Sequence, residues 1–510
     1  MTTSSLPSHV RVLIVGAGFG GLAMAIKLTE AGEHDFLVVE RGTDVGGTWR
    51  DNTYPGAACD VPSQLYSYSF APNPDWSRSF SPQPEIQSYI RKVAAESGTL
   101  HRFVFGTTVD DLTWDAAAGH WKVRTSAGEL TATVVVSAAG ALSDPKNPDS
   151  PGVEDFTGEV FHSARWNHDY DLTGTRVAVI GTGASAIPIV PEIAEKVAHL
   201  DVYQRTAPWV IPRNDRDYTR VERFAFRHLP AVQRMYRTAI YWGRELYVPA
   251  FTRAPRLAEP ARRLALANIR KNISDPELRR KVTPDFKIGC KRILISNTWY
   301  PALARDNVEL VTDRISQLSS RGIVTEDGTG RDVDAVIVAT GFHTTDLPIA
   351  DVITGADGTT LADHFDQHGM QAYKGTSVNG FPNLFLVVGP NTGLGHSSMV
   401  FMIESQVAYI LDAISHLKTR GVTAVQPRAE VQEAWVDDLQ HRMERTVWST
   451  GGCASWYLDS HGRNVTLWPR ATFTFRRLTA AFDPEAYEVV AASPSRATEP
   501  SVRESLEVGA

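Results

Sequence analysis

At 510 residues the chain is too long for one hydrophobic core, and at about 150 residues per domain it divides into roughly three domains. Its 43% hydrophobic and 21% charged content is that of an ordinary globular chain and excludes the disordered and fibrous classes. A formal charge of −7, from 51 basic and 58 acidic residues, makes no overall electrostatic case for nucleic acid or an anionic membrane and points to a small-molecule partner.

The opening residues MTTSSLPSHV have neither a basic n-region nor an apolar h-region, and no later run approaches the roughly 20 apolar residues of a transmembrane helix. Residues 10–15 read as a strand, 23–31 as a helix ended by Gly32, and 36–40 as the next strand, completing a βαβ unit. Between the first strand and its helix, Gly16, Gly18 and Gly21 form a G-x-G-x-x-G turn. The first makes the tight turn, the second lets the backbone approach a pyrophosphate, and the third allows close helix–strand packing. Glu40 ends the next strand where a carboxylate binds a ribose hydroxyl pair, so a dinucleotide site is expected here.

The order repeats about 165 residues later, with 176–180 as strand, 184–198 as helix and 200–204 as strand. Gly181, Gly183 and Ala186 supply the G-x-G-x-x-A variant of the turn. This second strand ends in YQRT, so Arg205 and Thr206 stand where an acid would be and suit a 2′-phosphate; the site should prefer NADP to NAD. An arginine on a solvent-facing loop is the plainer alternative. From about 218 to 281 an arginine-rich stretch has helical periodicity. Solvated arginines on a helical insertion are its first reading, and a helix lying on a membrane is the second. The polar end of the chain reads as a disordered tail. The fold class expected is α/β: two Rossmann-like dinucleotide-binding domains with a helical insertion.

Two dinucleotides in one chain can pass hydride from one to the other, and the N-terminal site of such enzymes commonly holds FAD. A disulfide reductase would need a closely spaced cysteine pair near the flavin. Cys59, Cys290 and Cys453 are scattered, with no metal-ligand or redox-pair spacing, which leaves oxygen as the acceptor and favours a reducing, cytoplasmic location. No metal site is expected.

FTGEVFHSARWN, with Phe156, Gly158, His162 and Trp166, resembles the F-x-G-x-x-x-H-x-x-x-W fingerprint of Baeyer–Villiger monooxygenases, lying just before the second glycine turn as in that family. Asn167 departs from the proline or aspartate usual there. GGTWRDNTYPGAACD, including Trp49, Tyr54, Pro55, Gly56 and Asp60, resembles the family's second signature, and DAVIVATGF and GCKRILISN match further segments. The resemblance runs from about Val10 to Arg477. It implies FAD and NADPH as cofactors, a ketone and O2 as substrates, and insertion of one oxygen next to the carbonyl through a C4a-peroxyflavin, giving an ester or lactone.

The resemblance further implies that Arg292 stabilises the developing oxyanion and that Asp60 orients it. An arginine suits that task because it stays protonated at any working pH. Lys291 is implied to join Arg205 and Thr206 on the 2′-phosphate, and Trp456 to contact the nicotinamide cofactor through its indole N–H, with an ordinary core tryptophan as the alternative. Cofactor contacts are also implied for Gly47, Thr48, Trp49, Asp60, Val61, Tyr66, Gly181, Gly183, Ala184, Ser185 and Asn391. His162 is given a conformational role at the domain junction, and His396 none. The implied division is a split flavin domain (1–145 and 379–487), a split NADP domain (146–217 and 289–378), an insertion (218–288) and a disordered tail (488–510). Two alternatives stay open at this point: an N- or S-oxygenating flavin-containing monooxygenase, and a flavin- and NADP-binding sensor that does not turn over.

Overall fold

A computed structural model describes residues 6–147, 151–459 and 461–490. Its first sheet is organised around His9–Val15, whose Val/Ile-rich interior is buried on both faces as a central parallel strand requires. Phe36–Glu40 and Gly128–Ser137 flank it in parallel, and Phe103–Phe105 extends the sheet beyond Phe36–Glu40. On the other side Gly128–Ser137, His120–Thr125 and Val109–Asp115 run as an antiparallel meander. Leu384–Leu386 then returns from far along the chain to pair in parallel with Gly128–Ser137. The 22-residue helix Met399–Arg420 packs on the glycine-turn helix Phe19–Glu30, so this layer is built from two distant pieces of sequence.

The second sheet has five parallel strands in the order Val308–Val311, His199–Tyr203, Arg176–Ile180, Ala335–Val338 and Glu159–His162. Its core is a separate cluster of valine, leucine and isoleucine with Trp299 and Tyr300. Arg220–His228, Pro230–Glu245, Val248–Thr252, Glu259–Asn272 and Pro276–Lys281 form the helical insertion. Its first helix is started by Thr219, whose side chain accepts from the Glu222 N–H while Glu222 accepts from the Thr219 N–H.

Several expectations need correction. The first glycine-turn helix begins at Phe19, immediately after the turn, rather than at 23. The second is only Ala186–Ala194, short of 198, with Pro191 inside it removing a backbone donor. Residues 488 and 489, expected in a disordered tail, belong to the strand Tyr487–Val489, which pairs antiparallel with Val425–Pro427, and the Val490 N–H donates to the Ala424 carbonyl; the rest of that expectation, from 491 on, lies outside the described residues. The cysteines are not all unpaired: Cys290 and Cys453, 163 residues apart, form a disulfide, and Cys59 is the free, buried one. Among the described residues no helix is long and apolar enough to cross a membrane.

Candidate active site

A single cleft of about 2350 Å³ runs from the first glycine turn to the second and is lined by residues of both sheets. One small-molecule site occupies roughly 300–1,000 Å³, so this cleft has room for more than one ligand. At its first end Gly16 has φ +100°, and a Cβ there would stand 2.7 Å from the Ala138 carbonyl oxygen. A Cβ on Gly21 would meet the Gly16 carbonyl oxygen at 1.9 Å, so this glycine serves helix–strand packing. Gly18 and Gly47 face each other across the mouth of the turn, with bare backbone lining the cleft. This is the cradle that a dinucleotide pyrophosphate fits. Glu40, at the end of its strand, accepts from Ala17 N–H at 2.8 Å and Gly42 N–H at 2.7 Å and pairs with Arg50 at 2.7 Å. Its buried carboxylate therefore braces the turn as well as lining the cleft.

Thr48, Trp49, Val61 and Tyr66 also line the cleft, and the Trp49 indole N–H donates to the Tyr66 hydroxyl at 3.0 Å. Asn391 does not line it. That residue is buried at φ +56° and donates to the carbonyls of Asn464 and Leu467, so its side chain ties the C-terminal segment, while its neighbours Gly389 and Thr392 line the cleft.

Between the two ends, Asp60 and Arg292, separated by 232 residues, form a two-pronged ion pair with both N···O distances 2.6 Å. Each side chain is about a third exposed, towards the cleft. Burial pushes the Asp60 carboxyl up, but the charge and hydrogen bonds of Arg292, with help from Arg244, hold it below its ordinary value. Asp60 in turn raises Arg292 above the ordinary guanidinium value, so the pair stays ionised. The remaining Arg292 nitrogen, Nη1, lies 3.4 Å from the Leu394 carbonyl, a long contact that leaves donor capacity on the cleft side.

At the second end Gly181 has φ +115°, with the Ala339 carbonyl oxygen 2.5 Å from where its Cβ would be, and a Cβ on Gly183 would meet nothing within 4 Å. Ala184, Ser185, Arg205, Thr206 and Lys291 line this end. Burial and the nearby charge of Arg205 both lower the Lys291 ammonium below its ordinary value. Two cations held this close fit an anionic ligand group. Trp456 is 48% exposed on the cleft wall, which excludes the core alternative; its neighbour Tyr457 is the buried residue. The disulfide fixes the loop before Trp456 to Cys290, next to Lys291 and Arg292, a juxtaposition that spacing along the chain could not reveal.

The fingerprint residues lie at the edge of the second sheet. Phe156 is buried, and a Cβ on Gly158 would stand 2.4 Å from the Asp334 carbonyl oxygen. His162 ends its strand, accepts from the Ala164 N–H at 3.0 Å and meets Phe342 edge to face. Burial lowers its imidazole to about 4, so the ring is neutral near pH 7. Trp166 packs on Phe161. Asn167 bonds Glu159 at 2.8 Å and the Asp169 N–H at 3.1 Å, a local turn role for the departure from the fingerprint.

Sequence reasoning missed Tyr54 and Gly56 as a bridge between the sheets. Tyr54 packs against the second core, and a Cβ on Gly56 would stand 2.9 Å from the Pro188 carbonyl oxygen. The signal was their place in GGTWRDNTYPGAACD.

The family described as "Pyridine nucleotide-disulphide oxidoreductase" matches residues 13–225. Two relatives named Baeyer–Villiger monooxygenase are similar over nearly the whole chain. The one from Streptomyces coelicolor is 52% identical over 490 residues, covering 96% of this chain and 94% of its own. The one from Pseudomonas aeruginosa is 50% identical over 494 residues, with the same coverage. Among solved structures, cyclohexanone monooxygenase from Rhodococcus sp. Phi1 bound to NADP+ superposes with a TM-score of 0.85 at 27% identity, covering 96% of this chain and all of that one. OTEMO in complex with FAD and NADP gives 0.83 at 26% identity, covering 94% and 99%.

Proposed function

The chain belongs to the Baeyer–Villiger monooxygenases, and from that premise we propose that it inserts one oxygen atom of O2 next to the carbonyl of a ketone, at the expense of NADPH, to give an ester or lactone. The observation that carries this reading is the Asp60–Arg292 pair midway along a cleft with a dinucleotide turn at each end. Bound FAD, once reduced by NADPH, supplies the activated oxygen in this chemistry.

We assign FAD to the first sheet and the cradle of Gly16, Gly18, Gly47, Thr48 and Trp49, with Glu40 towards the ribose. NADP is assigned to the second sheet, with its pyrophosphate at Gly181 and Gly183 and its 2′-phosphate between Arg205, Thr206 and Lys291. The division of the chain at 145, 217, 288, 378 and 487 is part of the proposal and is supported by the two separate sheets and cores. Arg292 is the catalytic cation: it stays charged, is oriented by Asp60 and faces the cleft, so it stabilises negative charge developing on the substrate oxygen. His162, neutral and wedged against Phe342, couples the sheets rather than moving protons. Trp456 closes over the nicotinamide cofactor from the loop anchored at Cys453. A cytoplasmic location fits the demand for NADPH, and there the Cys290–Cys453 bond has to withstand reductants, which the full burial of Cys290 favours.

The test is anaerobic reduction with NADPH, then air in the presence of a ketone panel and an organic sulfide, with products identified by mass. An ester or lactone carrying one added oxygen supports the proposal. Sulfoxide alone would favour heteroatom oxygenation, and failure to consume oxygen with any ketone would favour a binding protein.

A further inference from the structure

The helix Pro230–Glu245 buries polar groups on its inner side and leaves an apolar stripe open on its outer one. An ordinary surface helix buries an apolar stripe and exposes its charges; this one packs Tyr236, Ile240 and Tyr241 against the first sheet's core but buries polar groups beside them. Gln233 donates to Gln64 Oε1 and to the Asn73 carbonyl, both at 2.8 Å, and Arg237 donates to the Gln64 carbonyl at 2.6 Å. Glu245 accepts from the Thr472 N–H at 3.0 Å and lies 3.3 Å from His396 Nε2. The opposite face is apolar and open: Met235 is 73% exposed, Trp242 53% and Leu246, directly after the helix, 79%. Spacings of seven and four place these three on one stripe. Phe473 lies beside Trp242, and Val221 and Phe224 on the preceding helix are exposed as well. Single exposed apolar residues need no explanation, but a stripe of three on a helix that already packs its other side into the core does.

Charge identifies what covers it. Residues 219–247 hold six arginines and two glutamates in a chain whose net charge is −7. Glu222 is claimed by Arg216 and Glu245 is buried. Among the described residues, no carboxylate pairs with Arg220, Arg223 or Arg234. We propose that this face docks on an anionic lipid bilayer, with Met235, Trp242 and Leu246 entering the boundary between headgroups and acyl chains and the three arginines lying on lipid phosphates. A second copy of the chain fits the face poorly, because two such surfaces would bring arginines against arginines, and the exposed Asp217, just before the helix Arg220–His228, offsets them only in part. The negative charge on the rest of the protein would orient it with this face towards the lipid. The absence of electrostatic attraction expected from net charge therefore fails locally, and the membrane-lying alternative for the arginine-rich stretch becomes the stronger one.

The experiment is sedimentation of the FAD-loaded full chain with vesicles of equal parts phosphatidylglycerol and phosphatidylcholine, and with phosphatidylcholine alone. The protein should sediment with the mixed vesicles, less so as salt is raised, and stay in solution with the neutral ones. Met235→Ser with Leu246→Ser should lower partitioning by about tenfold or more. Arg220→Gln, Arg223→Gln and Arg234→Gln together should lower it roughly 100-fold, about fivefold per arginine. These positions are at the surface, and an unchanged flavin spectrum and melting midpoint would confirm that the fold is kept. Wild-type protein that ignores both vesicle types would overturn the proposal. So would binding indifferent to the Met235 and Leu246 changes, or a dimer in light scattering that those changes convert to monomer.

Discussion

Arg292 and Asp60 both stay ionised in the cleft because each offsets the other's burial. Two hydrogen bonds of 2.6 Å hold the guanidinium plane, and the carboxylate keeps it charged without occupying all its donors. Removing the guanidinium should spare the earlier half-reaction, which needs only the two dinucleotides. Arg292→Ala is accordingly expected to let NADPH bleach the flavin anaerobically while ester formation is lost; ester yield at the wild-type level would refute the assignment. Arg205 acts at the other end of the cleft. On the proposed assignment its loss removes one charged hydrogen-bonding group from the 2′-phosphate, on the order of 1.5–3 kcal/mol, so Arg205→Ala should lower kcat/KM for NADPH about 10-fold or more. The same constant for NADH, which has no such phosphate, should hardly move, and the ratio of the two is the measurement. Both residues were legible only in part. YQRT at a strand end has a physical reading of its own, whereas Arg292 was identified through its resemblance and gains geometric support only when the fold brings Asp60 to it.

Elements with a strong pattern were read well because their burial is local. His9–Val15 and Phe36–Glu40 announce themselves as apolar runs, and the glycines between them must take a conformation that side chains resist. Gly16→Val combines a strained φ with a clash on the Ala138 carbonyl, so the purified variant is expected to be colourless; a yellow one would contradict the flavin cradle. Helix ends were read less well, since Pro191 and the turn before Phe19 act through backbone bonds that hydropathy does not register. His162 shows an element-level effect on stability. Its imidazole is held near 4 in the fold, against about 6.5 in the unfolded chain. Between those values the unfolded state binds a proton that the folded state refuses, so stability is present above pH 6.5 and is lost as pH falls towards 4. From pH 7 to pH 5 this amounts to about 2 kcal/mol. His162→Gln should flatten that part of the pH dependence in urea midpoints, and an unchanged slope would place the titration elsewhere.

At the scale of the whole molecule, the decisive features are contacts between residues far apart in sequence, which no local pattern encodes. The Asp60–Arg292 pair, the return of Leu384–Leu386 to the first sheet and the Cys290–Cys453 bond are all of this kind. The open apolar face of Pro230–Glu245 is another, because periodicity identifies an amphipathic helix but not which side the rest of the protein covers. The disulfide closes a loop across 163 residues, and in the chain-entropy account a crosslink of that span stabilises a fold by up to about 5 kcal/mol. It also anchors the loop that leads to Trp456 beside the segment carrying Lys291 and Arg292. Cys453→Ser, which leaves the buried Cys290 in place, should therefore lower the thermal midpoint by several degrees. If the loop orders the nicotinamide cofactor, the same change should weaken NADP+ binding by a few-fold while leaving FAD content intact. Thermal melts with and without reductant, alongside NADP+ titration of the variant, separate the two effects. A melting point insensitive to both reductant and substitution would mean that the bond contributes no stability, and unchanged NADP+ affinity would leave Trp456 without the anchoring role assigned to its loop.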